Sequence, residues 1–133
     1  MAAKHVLDTH AFLWCLAGSA QLGNDAKAVL QDPASEHLIP ATALAEACWI
    51  VDRRRLALTV SEVLTALDND PRITVISLDR IVIERSNGLT AISEMHDRQI
   101  VATALALQDR GEAVDLLTKD ANIIDSHLIT IVW

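Results

Sequence analysis

The stretch Lys4-His5-Val6-Leu7-Asp8-Thr9-His10-Ala11-Phe12-Leu13-Trp14-Cys15-Leu16-Ala17-Gly18 decides the architecture, because it changes periodicity at a single acid. His5 to Asp8 reads as a short strand ending on a carboxylate. Thr9 to Ala17 reads as a helix, with Thr9 as its cap and Gly18 as its stop. The same alternation continues outward along the chain. A helix is predicted from the cap Asn24 to Gln31, before Pro33, and a second strand over His37 to Ile39. Pro40 introduces a long helix, Ala41 to Arg55, and the capping-box pattern Thr59-x-x-Glu62 opens another that runs to Leu67. The β-branched run Ile73 to Leu78 is the third strand, followed by a helix from Asp79 to Ser86. Asp97 is expected to open the helix with the clearest 3.6-residue pattern, Ile100, Val101, Ala104, Leu105 and Gln108, which Gly111 stops. Val114 to Leu117 is a strand, Ala121 to Asp125 a short helix, and Ile129 to Trp133 the last strand. Apolar strands alternating with helices predict an α/β fold, a three-layer α/β/α sandwich around a mainly parallel sheet. With no repeat and no break in composition, residues 1–133 are read as a single domain.

A chain of 133 residues can bury one core, and 51% hydrophobic with 22% charged residues excludes a disordered polymer. No apolar run approaches the ~18 residues that span a bilayer, and Met1 to His5 lacks the pattern of a secretory signal, so a cytoplasmic protein without membrane contact is expected. Cys15 and Cys48 have no C-x-x-C spacing and are read as reduced, small apolar residues. His5, His10, His37, His96 and His127 are scattered, unlike a zinc site. A net charge of −7 argues against nucleic-acid binding through a broad basic face, but leaves open an acidic pocket bridged to phosphate by a divalent cation.

Four carboxylates stand out. Asp8 ends the first strand and Asp120 follows the fourth, and ligands of open parallel sheets bind beyond the carboxyl ends of strands. Each is also readable as a turn or cap residue, and Asp120 taken alone is more readily so. Glu46 is the sole charged residue between Glu36 and Asp52. Its helical neighbours are Thr42, Ala43, Trp49 and Ile50, so it needs a partner, either one of Arg53 to Arg55 or a cation. Asp97 suits a helix amino terminus, yet it shares a face with Val101 and Ala104. If the four converged to ~5 Å, each pair would repel by roughly 3 kcal/mol at an effective dielectric of ~20. A domain stable by only about 5–15 kcal/mol would need protons or a divalent ion there. Oxygen-only ligands favour Mg²⁺ or Mn²⁺, whose chemistry suits phosphodiester hydrolysis.

Four segments carry a resemblance: Val6 to Trp14, Ala43-Leu44-Ala45-Glu46, Asp97 to Leu105, and Leu116-Leu117-Thr118-Lys119-Asp120. In order and spacing, and with the terminal Ile129 to Trp133 run, they resemble the PIN-domain family, specifically the VapC-type toxins of bacterial toxin–antitoxin pairs. The resemblance implies a Mg²⁺- or Mn²⁺-dependent ribonuclease in which Asp8, Glu46, Asp97 and Asp120 hold the metal. It further implies a small antitoxin partner reaching into the acidic cleft, and a homodimer. Thr118 and Thr9 fall where the family often carries a hydroxyl that positions a carboxylate or a water. Met95 and His96 depart from the usual Pro/Phe-containing approach to the third acid, and Asn122 stands where some relatives carry another acid.

Lys119 and Arg98 adjoin proposed ligands and are candidates for contact with RNA substrate. Arg53 to Arg55 read as a solvated helix end, His96 as a surface residue or a proton shuttle, and Trp14 and Trp49 as packing residues or base-stacking surfaces. Two other functions compete. One is a receiver-like, phospho-accepting signalling domain with an acidic Mg²⁺ pocket, which normally has adjacent acids after its first strand. The other is a catalytically dead copy that only binds its partner.

Overall fold

The computed structural model describes residues 3–54 and 57–133. Five strands form one parallel sheet, β1 Lys4–Leu7, β2 Glu36–Pro40, β3 Ile73–Ile76, β4 Val114–Leu117 and β5 Ile131–Val132, in the order β3-β2-β1-β4-β5. Seven helices connect them among the described residues: α1 Thr9–Ala17, α2 Asn24–Gln31, α3 Ala41–Arg54, α4 Val60–Asn69, α5 Arg80–Asn87, α6 Met95–Asp109 and α7 Ala121–Ser126. Consecutive residues Val6 and Leu7, Leu38 and Ile39, and all of Val114 to Leu117 are buried, so both faces of the sheet are covered, as the expected α/β sandwich requires. The expected end of the third helix at Arg55 falls outside the described residues.

The sheet order creates the crevice. From β1 the chain winds outward through β2 to β3, whereas β4 lies on the other side of β1 and leads to β5. The direction therefore switches between β1 and β4, which pair from Lys4 with Val114 to Leu7 with Leu117. Helices following these two strands diverge and leave a gap beyond their carboxyl ends. The amide of Asp8 still bonds the Leu117 carbonyl at 3.2 Å, which places the first acid at that gap.

α6 is the central support. It packs on β2 and β4, with α5 laid over it and α3 beside it. Every residue from Ile100 to Leu107 is buried, so the one-sided pattern expected from sequence is in fact a helix enclosed all round. It begins at Met95, not Asp97, because the Glu94 carboxylate accepts the Asp97 amide at 2.8 Å and caps the helix. α1 is likewise capped by Asp8, not Thr9: the Asp8 carboxylate accepts the Ala11 amide at 2.8 Å. Gly18 closes α1 in the left-handed conformation, φ 63°. α2 is capped by Gly23, not Asn24, and has no side-chain cap bond.

Two strands are shorter than expected, for one reason. β3 lies at the sheet edge and pairs only with β2, and β2 ends where Pro40 leads into α3, so pairing stops at Ile76 rather than Leu78. β5 pairs only with Leu116 and Leu117 and is confined to Ile131 and Val132. At the amino ends of the strands, charged groups are partnered. His5 Nδ1 and Asp115 Oδ1 lie 2.5 Å apart in buried, directly paired positions of β1 and β4. Lys4 bonds Glu112 at 2.7 Å, and Arg72 bonds Asp70 through both Nε and Nη2. Cys15 and Cys48 are free, part-buried thiols. No helix among the described residues is long and apolar enough to cross a membrane.

Candidate active site

A cleft of about 430 Å³ opens at the carboxyl ends of β1 and β4 and is lined by Asp8, Glu46, Asp97 and Asp120 together. Each arrives by a different local rule. Asp8 follows β1 directly and is held by its capping bond to α1. Asp120 caps α7, accepting the amides of Asn122 at 2.9 Å and Ile123 at 3.1 Å. Asp97 sits in the first turn of α6, and Glu46 lies mid-way along α3. Thr42 at the start of α3 donates to Gln99 Oε1 at 2.7 Å, which pins α3 to α6 near the site.

The two auxiliary hydroxyls lie against these acids. Thr118 is fully buried; its Oγ1 accepts the Asp120 amide at 3.0 Å, and it lies near enough to Asp8 to favour the charged carboxylate. Thr9 donates to Glu46 Oε1 at 3.1 Å. Glu46, whose side chain is 34% exposed, has His96 Nδ1 at 4.0 Å. An arginine partner for Glu46 is not found among the described residues: Arg53 lies 3.8 Å from Asp52 and over the Trp49 ring. The rest of Arg53 to Arg55, the Arg54 side chain and Arg55, lies outside the description.

Charge in the cleft is not balanced. Among the described residues no Lys, Arg or His forms an ion pair with Asp8, Asp97 or Asp120. Burial, together with Asp120, Glu94, Glu46 and Asp8, pushes the Asp97 carboxyl up to about 6. Burial raises Asp8 as well, against the opposing influence of Thr118, the Ala11 amide and the nearby His10. Yet among the described residues no three His, Cys, Asp or Glu side chains are placed so that together they could hold a metal ion. Carboxylate oxygens are the donor type that hard divalent cations take, Mg²⁺ keeping part of its water shell.

Lys119 lines the cleft, with Nζ 4.7 Å from the centre of the Trp14 ring. Arg98 does not. Its Nε donates to the Ile92 carbonyl, and the side chain borders a separate hollow with Ser86, Asn87, Ser93 and Met95, because successive helical residues point about 100° apart. Arg98, expected to contact substrate, thus lies outside the cleft wall that Lys119 lines. His96 bonds Glu94 at 3.0 Å. Trp49, read as a packing residue or a base-stacking surface, is 56% exposed and does not line the cleft. Sequence reasoning missed His10, Gln21, Ile100 and Trp133 in the cleft wall and Glu94 beside it. His10 was findable as the second residue after the strand-ending acid, while Trp133 comes from the far end of the chain.

No protein-family model matches the chain, and no curated protein matches it significantly. Solved structures do match in fold. A toxin–antitoxin complex from Klebsiella pneumoniae superposes with a TM-score of 0.65 at 19% identity, over 87% of this chain and 86% of that one. VapC20 of Mycobacterium tuberculosis, a toxin that cleaves the sarcin–ricin loop, gives 0.67 at 15% identity, over 97% and 99%. VapBC2 of Rickettsia felis, bound to a DNA fragment from its promoter, gives 0.68 at 15% identity, over 96% of both chains. The chain thus has, over nearly its whole length, the α/β fold of VapC-type toxin structures.

Proposed function

We propose that this chain is a divalent-cation-dependent endoribonuclease, the toxin of a type II toxin–antitoxin pair. The observation that carries the reading is the convergence of Asp8, Glu46, Asp97 and Asp120 on one cleft at the switch point of the sheet, without a paired cation at three of them among the described residues. Structural charges are normally neutralised within the fold, and an arrangement that leaves them uncompensated is one organised around a ligand. The VapC fold, shared with a toxin that cleaves RNA and with complexes that include an antitoxin, supports the substrate class and the partner.

Asp8 and Asp120 flank the cleft from β1 and β4, and Asp97 and Glu46 complete a set that would hold Mg²⁺ or Mn²⁺. When bound, such an ion supplies Lewis acidity toward a phosphodiester and lowers the pKa of a water. Thr118 holds the Asp120 backbone and lies near Asp8, and Thr9 orients Glu46. Asp97, raised to about 6, and Asp8, also raised by burial, both hold a proton more readily than ordinary carboxyls. Lys119 is the cleft's own cation for a substrate phosphate. A homodimer in the cytoplasm completes the proposal. The receiver-like alternative is disfavoured by the sheet order 3-2-1-4-5, which differs from the 2-1-3-4-5 order of flavodoxin-like domains.

Incubation of the protein with RNA and Mn²⁺ or Mg²⁺ is expected to yield endonucleolytic cleavage that chelator stops. Asp8→Asn, which keeps the α1 cap, should reduce the rate by at least about 100-fold. Cleavage that survives both treatments, or retained folding and antitoxin capture without any turnover, removes the enzymatic reading.

A further inference from the structure

The cleft that gathers the carboxylates also has an aromatic wall, which holding a cation does not require. Trp14 and Trp133 both line it, with ring centres 5.8 Å apart and planes inclined at 63°. His10, one turn before Trp14 on α1, lies 5.3 Å from the same ring. The Lys119 ammonium sits 4.7 Å from its centre. Trp133 is seated against Gly23: a Cβ at residue 23 would lie 2.5 Å from both the Trp133 backbone carbon and its Cδ1. The missing side chain at Gly23 is what lets the second indole lie there and brace the first with its edge.

We propose that Trp14, braced by Trp133, is a nucleobase subsite that stacks an unpaired base of the RNA strand whose phosphate lies at the carboxylates. This rests on the ribonuclease reading above and names the form of RNA it prefers. An indole fixed by an edge-to-face neighbour is a preformed stacking surface, and base–aromatic stacking is stronger than a half-solvated cation–π contact. Lys119 adjoins Asp120 in the chain, so the ammonium that covers the indole is released to a neighbouring phosphate when a base takes its place. Every base has a π face, so this subsite selects for unpaired strand rather than for sequence. The chain has three Trp, one Phe and no Tyr, and two of those three Trp lie on this one wall.

The test is Mn²⁺-dependent cleavage of a single-stranded oligoribonucleotide in which an abasic residue is moved one position at a time. For the wild-type chain, one abasic position next to the cleaved bond should lower kcat/KM about ten-fold, mainly through KM. Trp14→Leu should show the same loss on the intact strand and no further loss on the abasic one, and Trp14→Phe should recover to within about three-fold of wild type. Equal cleavage of intact and abasic strands by the wild type overturns the subsite, as does a Trp14→Leu loss that multiplies with the abasic loss. If Trp14→Leu does not fold, the wild-type abasic scan and Trp14→Phe decide. A wild-type protein that cuts no strand with either metal overturns the ribonuclease reading itself, which separates that failure from failure of the subsite alone.

Discussion

The two ends of the sheet treat acids in opposite ways. At the amino-terminal edge Asp115 meets His5, Glu112 meets Lys4 and Asp70 meets Arg72, all within hydrogen-bonding distance. At the carboxyl-terminal edge Asp8, Asp97 and Asp120 share a cleft without an ion pair among the described residues, and Asp97 is driven up to about 6. Both ends belong to the same strands, so neither strand propensity nor core packing explains the difference. What differs is that the first set stabilises the fold as it stands, while the second leaves repulsion that only a bound cation or a proton relieves.

The largest expected effect comes from exchanging one acid at each end. Asp115→Ala leaves the buried His5 ring without its partner and should lower stability by about 3 kcal/mol in urea titrations. Asp97→Asn should instead stabilise the cation-free protein, because it removes a repelled charge. If Asp97→Asn proves the more damaging of the two, the contrast between the ends is wrong. Next comes the cation. Mn²⁺ at about 100 times its dissociation constant should add about 2.7 kcal/mol, a rise in Tm of roughly 8 °C, and Asp97→Asn combined with Asp8→Asn should abolish the rise.

A smaller effect follows from pH. A carboxyl raised from 3.8 to about 6 binds its proton more tightly folded than unfolded, so its contribution is complete below pH 4 and is lost as pH climbs through about 6. In chelator, wild type should lose about 2 kcal/mol relative to Asp97→Asn between pH 4 and 7, a figure already reduced for partial solvation. Parallel curves for the two proteins would remove the electrostatic basis of the cleft. Last, Lys4→Gln should lower Tm by only about 1–3 °C, because its pair with Glu112 is part-exposed and so the weakest of the partnered end.

Much of this contrast is legible from local pattern. Val114 to Leu117 is a strand over the span its apolar run implies, and Asp8 and Asp120 can be placed because an acid directly after a strand reaches the carboxyl edge of a parallel sheet. Glu46 stands out because helical spacing surrounds it with apolar neighbours. What escapes such reading depends on partners far along the chain. The Thr42–Gln99 bond joins residues 57 apart, His5 and Asp115 are 110 apart, and Trp133 reaches the cleft only because residue 23 lacks a side chain. Arg98 shows the converse: adjacency to Asp97 in sequence says nothing of direction, and one helical step turned its guanidinium toward the Ile92 carbonyl.

The complete burial of Ile100 to Leu107 has a consequence for how the cleft comes apart. Amide protons along that part of α6 should exchange with solvent more slowly than those of the six-residue α7 behind Asp120, which carries mostly exposed side chains, as hydrogen exchange would measure. Asp97 stands in the turn that leads into this enclosed segment, while Asp120 caps a short helix of mostly exposed side chains, so the two sides of the cleft are held by unequal amounts of buried surface.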